Sequence, residues 1–258
     1  MYEEAARLIK NSKRTVAFTG AGISVESGIP PFRGKNGLWN KYDPATFEIS
    51  YFLGNTEKSW EVMREIFYEL FGKVKPNSAH TALAELEGLN LMHAVITQNV
   101  DNLHTDAGSK NVYEFHGSLK KLVCLKCSAK TDVSDVDLNI LPPRCTRSAV
   151  KERPGDGKRH KAVLCNGVLK PDVVFFGESI PKHAYTKSFE EADKADLFIL
   201  IGTTGEVAPA NMIPRMAKRS GANIIEINTT ESSYTDSITD IFLKGKATEV
   251  MENLMSAI

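Results

Sequence analysis

The chain has 258 residues, of which 42% are apolar and 25% charged, and its 32 Lys and Arg balance 32 Asp and Glu. These proportions belong to soluble globular proteins and suit one α/β domain with a small appendage. Zero formal charge removes the long-range pull expected of a nucleic-acid binder, and no window reaches the roughly 18 apolar residues of a membrane span. With no signal-peptide apolar region, the expectation is a cytoplasmic monomer without nucleic-acid or membrane partners. Four cysteines are too few for a disulfide framework and read as metal ligands or core residues.

In chain order, Glu3–Ile9 places Ala5, Ala6, Leu8 and Ile9 on one helical face, and Arg14–Thr19 reads as a short buried strand. Further strands are expected at Met92–Thr97, Val112–His116, Leu197–Ile201 and Ile224–Ile227, each short, apolar and partly β-branched or aromatic. Helices are expected at Glu57–Phe71, Ala79–Glu87 behind a cap at Asn77 or Ser78, Lys182–Lys194, Ala210–Arg219 and Ala247–Ser256. The alternation predicts a doubly wound parallel sheet, Rossmann-like, with a smaller lobe. Its parts are expected at 1–34, 79–117 and 171–258, with an aromatic-rich helical insertion over 35–78 and a zinc-binding insertion over 118–170. Within the latter, the polar, basic stretch Lys151–Lys161 reads as an exposed loop.

The run V16-A-F-T-G-A-G-I-S follows a strand and supplies Gly20 and Gly22, where missing side chains let backbone N–H groups approach a pyrophosphate. The third glycine of the dehydrogenase fingerprint is replaced by Val25, and no ribose-binding acid ends a second strand about 20 residues on. As a bare Gly-x-Gly, the stretch fits a phosphate site and a tight strand-to-helix turn equally well. Two later strands end in polar groups, T97-Q-N-V-D-N-L-H104 and V112-Y-E-F-H-G-S118, at the sheet edge where open α/β folds place ligands. His116 suits a general base there, although a lone histidine is more often a hydrogen-bonded structural residue. Cys124 and Cys127 form a C-x2-C pair, but 19 residues separate Cys145 from Cys165, so spacing alone leaves a four-cysteine zinc and a partial site equally open.

The longer strings G-A-G-I-S with S-G-I-P-P-F-R-G34, Q98-N-V-D-N-L-H and H116-G-S closely resemble the signature of the sirtuin family of NAD-dependent protein-lysine deacylases. The resemblance spans nearly the whole chain. It implies NAD as co-substrate, an acyl-lysine protein or peptide as second substrate, and nicotinamide with O-acyl-ADP-ribose as products. In that mechanism the acyl oxygen attacks the nicotinamide ribose, an alkylimidate forms, and His116 then activates a ribose hydroxyl. Carried over, Gly20, Ala21, Gly22 and Ser24 belong to the cofactor site, Phe32 shields the nicotinamide ribose, and Arg33 contacts NAD and orders its loop. Gln98 and Asn99 orient the ribose and a water, while Asp101 binds the nicotinamide carboxamide. Gly202, Thr203 and Thr204 meet ribose and phosphates, and Asn228, Thr229 and Ala247 lie at the adenosine end. Val174, Phe175, Phe176, Gly177 and Val207 form the peptide groove, and His80 and His104 take structural roles.

L-P-P-R-C145 and C165-N-G-V-L-K-P-D resemble the family's entry to and exit from the second zinc knuckle, which implies a structural Zn²⁺ held by Cys124, Cys127, Cys145 and Cys165 with residues 146–164 inserted. Three features depart from the pattern. Pro31 replaces the usual Asp or Thr, and Gly205-Glu206 replaces apolar or small residues. The Tyr-x-x-Arg pair that anchors acidic acyl chains is absent, its positions being Met63 and Ile66, so neutral acyl groups are expected, acetyl first. Mono-ADP-ribosyl transfer is the nearer alternative and hydride transfer the remoter one.

Overall fold

A computed structural model of the chain describes residues 1–34, 37–149 and 163–258. Its centre is a six-stranded, all-parallel sheet of β1 (Thr15–Thr19), β2 (Ala94–Thr97), β3 (Val112–Glu114), β9 (Leu197–Ile201), β10 (Asn223–Asn228) and β11 (Ile241–Lys244), in the order β11-β10-β9-β1-β2-β3. Every residue of β1 and β9 is buried, as expected for inner strands covered on both faces. Because side chains alternate along a strand, Ala17 joins the core under α1 (Tyr2–Asn11), α4 (Ser78–Gly88) and α8 (Ala247–Ala257). Val16 and Phe18 join the opposite core under α6 (Lys182–Lys194) and α7 (Met212–Arg219). Strands are laid outward from β1 to β3, and the chain then returns to place β9 on the other side of β1. That reversal opens a crevice at the carboxyl ends of β1 and β9, the usual ligand position in such sheets.

The smaller lobe has a three-stranded antiparallel sheet, β5 (Lys130–Asp132), β4 (Gly117–Cys124) and β8 (Leu169–Val173), and a two-stranded pair, β6 (Ser148–Ala149) with β7 (Val163–Leu164). The aromatic stretch read as a separate helical insertion shares its core with the cysteine region. Phe47, Phe52, Trp60, Phe67 and Phe71 cluster with Leu122, Leu169, Phe175 and three cysteines, and the fully buried Trp60 donates from its indole Nε1 to the Leu169 carbonyl at 2.8 Å.

Several elements differ from their sequence reading. Strand β11 was not expected, and the strands read from Met92 and to His116 are trimmed to Ala94 and Glu114. The single helix expected at Glu57–Phe71 divides into α3 (Thr56–Met63), a π-helical turn over Arg64–Leu70 and a 3₁₀ turn over Phe71–Lys73. The wider turn keeps Ile66 and Phe71, five residues apart, on the buried side. The stretch Lys151–Lys161, expected as an exposed loop, lies outside the described residues. Among the described residues no helix is long and apolar enough to cross a membrane.

Candidate active site

A cleft of about 1340 Å³ runs along the carboxyl ends of the sheet, and most of the anticipated residues line it. At its centre two glycine loops meet. Gly20 N–H donates to the Ile201 carbonyl at 3.0 Å and Gly22 N–H to the Gly202 carbonyl at 2.9 Å. A methyl group on Gly22 would stand 2.5 Å from Gly202 Cα, and Gly202 itself adopts φ +62°. These glycines therefore let two strand ends touch, and their own N–H groups are spent on that contact. This changes the expectation that they face a phosphate. The N–H groups of Ala21, Thr203 and Thr204 donate to no partner among the described residues and are the donors free to meet an anion.

The strand-end polar groups converge beside this point. Gln98 Nε2 donates to Thr203 Oγ1 at 2.9 Å, so one side chain ties β2 to the β9 loop. Asn99 Nδ2 donates to the Gly20 carbonyl at 3.1 Å and to Ser24 Oγ at 3.2 Å, which fixes its carboxamide over the glycine turn. His116 Nδ1 lies 3.0 Å from the Gln98 carbonyl. A carbonyl can only accept, so Nδ1 carries the proton and Nε2 keeps its lone pair. Burial lowers the His116 pKa, partly opposed by this hydrogen bond, so the ring is held neutral. The glycine after it is obligatory, because Gly117 has φ +87° and a Cβ there would fall 2.1 Å from the Asp172 carbonyl oxygen.

Ser24 and Asp101 stand outside the cleft lining, one layer behind Asn99. Ser24 donates to Asp101 at 2.7 Å, and the other Asp101 oxygen accepts the Leu103 N–H at 3.0 Å. Burial raises the Asp101 pKa against these two bonds. His80 Nε2 lies 3.3 Å from Ser24 Oγ while Asn77 caps helix α4 beneath it. His104 Nε2 lies 2.8 Å from Thr19 Oγ1, and its ring packs edge-on against His80 at 4.9 Å. Burial pushes the His80 pKa down to about 4 and that of His104 well below the usual histidine range, so both rings are neutral structural pieces.

At one end of the cleft, Asn228 donates to the Thr203 carbonyl at 3.1 Å and accepts the Thr229 N–H at 2.9 Å, with Gly245 and Ala247 alongside. Glu26, which sequence reasoning passed over, caps helix α8 here by accepting Thr248 N–H at 3.1 Å and Oγ1 at 2.7 Å. A contact 222 residues apart leaves no local signal.

At the other end lie Val174, Phe176, Gly177 and Val207. Phe175 turns largely away, buried against Phe52 at 5.5 Å, so the aromatic wall offered to the cleft is Phe176, 45% exposed. Backbone groups on this segment are partly taken. Val174 N–H donates to the His116 carbonyl at 2.8 Å, and Phe176 exchanges bonds with Phe47 and Ile49 at 2.9 and 3.0 Å. Gly177 keeps both of its backbone groups unpaired among the described residues. The turn is held from below by Lys170, also missed in the sequence, which is buried and donates to Glu178 at 2.9 Å and the Val173 carbonyl at 2.7 Å.

The four cysteines gather at the tip of the small lobe, their sulfurs all within 4.8 Å of one another. The 19-residue gap closes because β6 and β7 pair immediately inside Cys145 and Cys165, and Asn166 N–H donates to the Cys145 carbonyl at 3.0 Å. Sulfur separations of 3.6 Å (Cys124–Cys165) and 3.9 Å (Cys127–Cys145) compare with the edge of about 3.8 Å that a tetrahedron with Zn–S near 2.3 Å requires. The donor set fits a closed structural Zn²⁺ site with no position left for a substrate.

The Sir2 family model matches residues 20–209. The chain is 44% identical over 256 residues to the NAD-dependent protein deacetylase 1 of Pyrobaculum aerophilum, covering 99% of this chain and 94% of that one. It is 42% identical to the NAD-dependent protein deacylase of Pyrococcus abyssi, covering 100% and 98%. Its fold superposes on a solved structure described as "Sir2-p53 peptide-NAD+" with a TM-score of 0.86 at 34% identity, over 99% of this chain and 98% of that one. By sequence and by fold, this chain belongs to the Sir2 family.

Proposed function

We propose that this protein removes acyl groups, acetyl first, from lysine side chains of proteins at the expense of NAD, releasing nicotinamide and O-acyl-ADP-ribose. The observation that carries this reading is the His116 tautomer, a neutral imidazole with a free Nε2 standing beside Gln98 and Asn99 at a dinucleotide-sized cleft. Hydride transfer is disfavoured because the glycine fingerprint of dehydrogenases is incomplete, with Val25 at its third position.

The chain's residues divide the work as follows. Ala21, Thr203 and Thr204 offer backbone N–H groups to the diphosphate, with Gly20, Gly22 and Gly202 bringing their loops together. Asn228, Thr229 and Ala247 take the adenosine end, and Arg33 supplies a charge-assisted donor to the dinucleotide. Phe32, packed against Trp39 at 5.2 Å, covers the nicotinamide ribose and excludes water. Gln98 and Asn99 orient the ribose and the hydrolytic water, Asp101 supports the nicotinamide end from behind Asn99 through Ser24, and His116 Nε2 takes the proton from a ribose hydroxyl. Val174, Phe176, Gly177 and Val207 form the acyl-lysine passage, where an extended peptide pairs its backbone with the open groups of Gly177. Met63 and Ile66 are buried within the small-lobe core, which leaves no Tyr-x-x-Arg anchor and favours uncharged acyl groups.

Zn²⁺ held by the four cysteines fastens the small lobe and takes no part in the chemistry. The enzyme acts as a cytoplasmic monomer on acyl-lysine proteins, without nucleic acid. Mass analysis of an acetyl-lysine peptide with and without NAD tests the reading, since loss of acetyl must require NAD.

A further inference from the structure

Arg33 and Glu206 face each other across the cleft, Nε to Oε2 at 3.6 Å, joining the loop after the first glycine turn to the loop that follows β9. Both line the cleft, and their side chains are 47% and 59% exposed. At that exposure and distance an ion pair is worth little and exchanges readily with another partner. The other charged cleft residues are committed elsewhere. Glu26 caps α8 and faces Lys246, and Glu178 is held by Lys170 and the Phe175 N–H. Glu206 directly precedes Val207 and lines the same cleft as Phe176, with its side chain 59% exposed, so it is open to a peptide bound in the acyl-lysine passage proposed above.

We infer that Glu206 is a specificity-determining residue that selects acyl-lysine substrates carrying Lys or Arg close to the modified lysine. This rests on the deacylase reading and on Arg33 serving the dinucleotide within it. When the phosphates of NAD draw Arg33 away, Glu206 is left as an unpaired carboxylate on the rim. A cationic side chain on the peptide replaces the lost partner, whereas an acidic one is repelled. The effect is that of one exposed ion pair, about two- to fivefold in affinity, and it weakens as salt screens the charges.

The test uses three acetyl-lysine peptides with Arg, Gln or Glu at the two positions on each side of the acetyl-lysine. Their kcat/KM is measured at saturating NAD and low salt, and their Kd by fluorescence anisotropy with ADP-ribose present. For the wild type the order Arg, Gln, Glu is expected in both, with the spread in kcat/KM carried by KM. Glu206→Gln removes most of the spread and Glu206→Lys reverses it. An equal response to all three peptides, or an order that survives Glu206→Lys, overturns the inference. If the Gln peptide binds but no peptide is deacetylated, the deacylase reading fails instead, and the anisotropy order still decides the role of Glu206.

Discussion

The Gln98 carbonyl sits 3.0 Å from His116 Nδ1 and thereby holds the ring proton on Nδ1 and leaves the lone pair on Nε2. Because burial lowers the His116 pKa, the neutral ring persists on the acid side of the ordinary histidine value near 6.5. The acid limb of kcat/KM against pH is therefore expected below about 6.5. A limb above that value would show that His116 is not held neutral by its surroundings.

Burial also makes His80 and His104 a liability in acid. In the unfolded chain both protonate near pH 6.5, whereas in the folded protein burial lowers the His80 pKa to about 4 and that of His104 well below the ordinary histidine value. Above about 6.5 neither group affects stability. As the pH falls below that value the unfolded state gains protons that the folded state refuses, so stability drops until the folded groups titrate. Urea midpoints at pH 7.5, 6 and 5 are expected to decline in that order. His104→Gln, which cannot ionise, is expected to flatten the slope whatever its effect at pH 7.5.

Gly205 tests how the β9 loop is buttressed. It has φ +73°, and a Cβ would stand 2.2 Å from Ser233 Oγ and 2.6 Å from the Tyr234 ring. Ser233 in turn holds this loop by donating its N–H to the Thr204 carbonyl at 3.1 Å and Oγ to the Gly205 carbonyl at 3.0 Å. Gly205→Ala should displace Thr203 and Thr204 from the phosphate position and raise KM for NAD by roughly tenfold or more, the scale of a strained left-handed position of 1–3 kcal/mol. An unchanged KM for NAD would separate this loop from the cofactor.

Chelation is expected to loosen the small lobe before the large one. Removing Zn²⁺ leaves four sulfurs crowded within 4.8 Å and a core that shares Cys124, Cys145 and Cys165 with Trp60 and Phe175. Trp60 fluorescence should therefore shift on metal removal, and peptide turnover should fall, while far-UV dichroism from the parallel sheet and its helices is largely kept. Metal analysis should return one zinc per chain.

Much of this was legible in the sequence where a signal is local. The short stretches read at Arg14–Thr19 and Leu197–Ile201 announce inner strands, and Asn77 and Ser78 announce a helix start that Asn77 caps. The strings around Gly20, Gln98 and His116 mark residues that do meet at one cleft. What stayed hidden depends on distant partners. Glu26 is passed over in the sequence because helix α8, which begins on it, lies 222 residues on. The packing of Gly22 against Gly202 is hidden for the same reason, since only the folded sheet brings the two together. The break after Met63 follows from packing against the small-lobe core, which no helical periodicity encodes.

In the proposed function, NAD cleavage and acyl removal are one reaction with His116 as its base. The most direct measurement counts products from a single acetyl-lysine peptide incubated with enzyme and NAD, for the wild type and for His116→Ala. Nicotinamide, deacetylated peptide and O-acetyl-ADP-ribose are predicted in equal amounts for the wild type, with deacetylated peptide and O-acetyl-ADP-ribose lost in the variant while NAD still binds. Intact acetylated peptide accompanied by ADP-ribose attached to protein, or deacetylation that persists in the variant, would contradict the account.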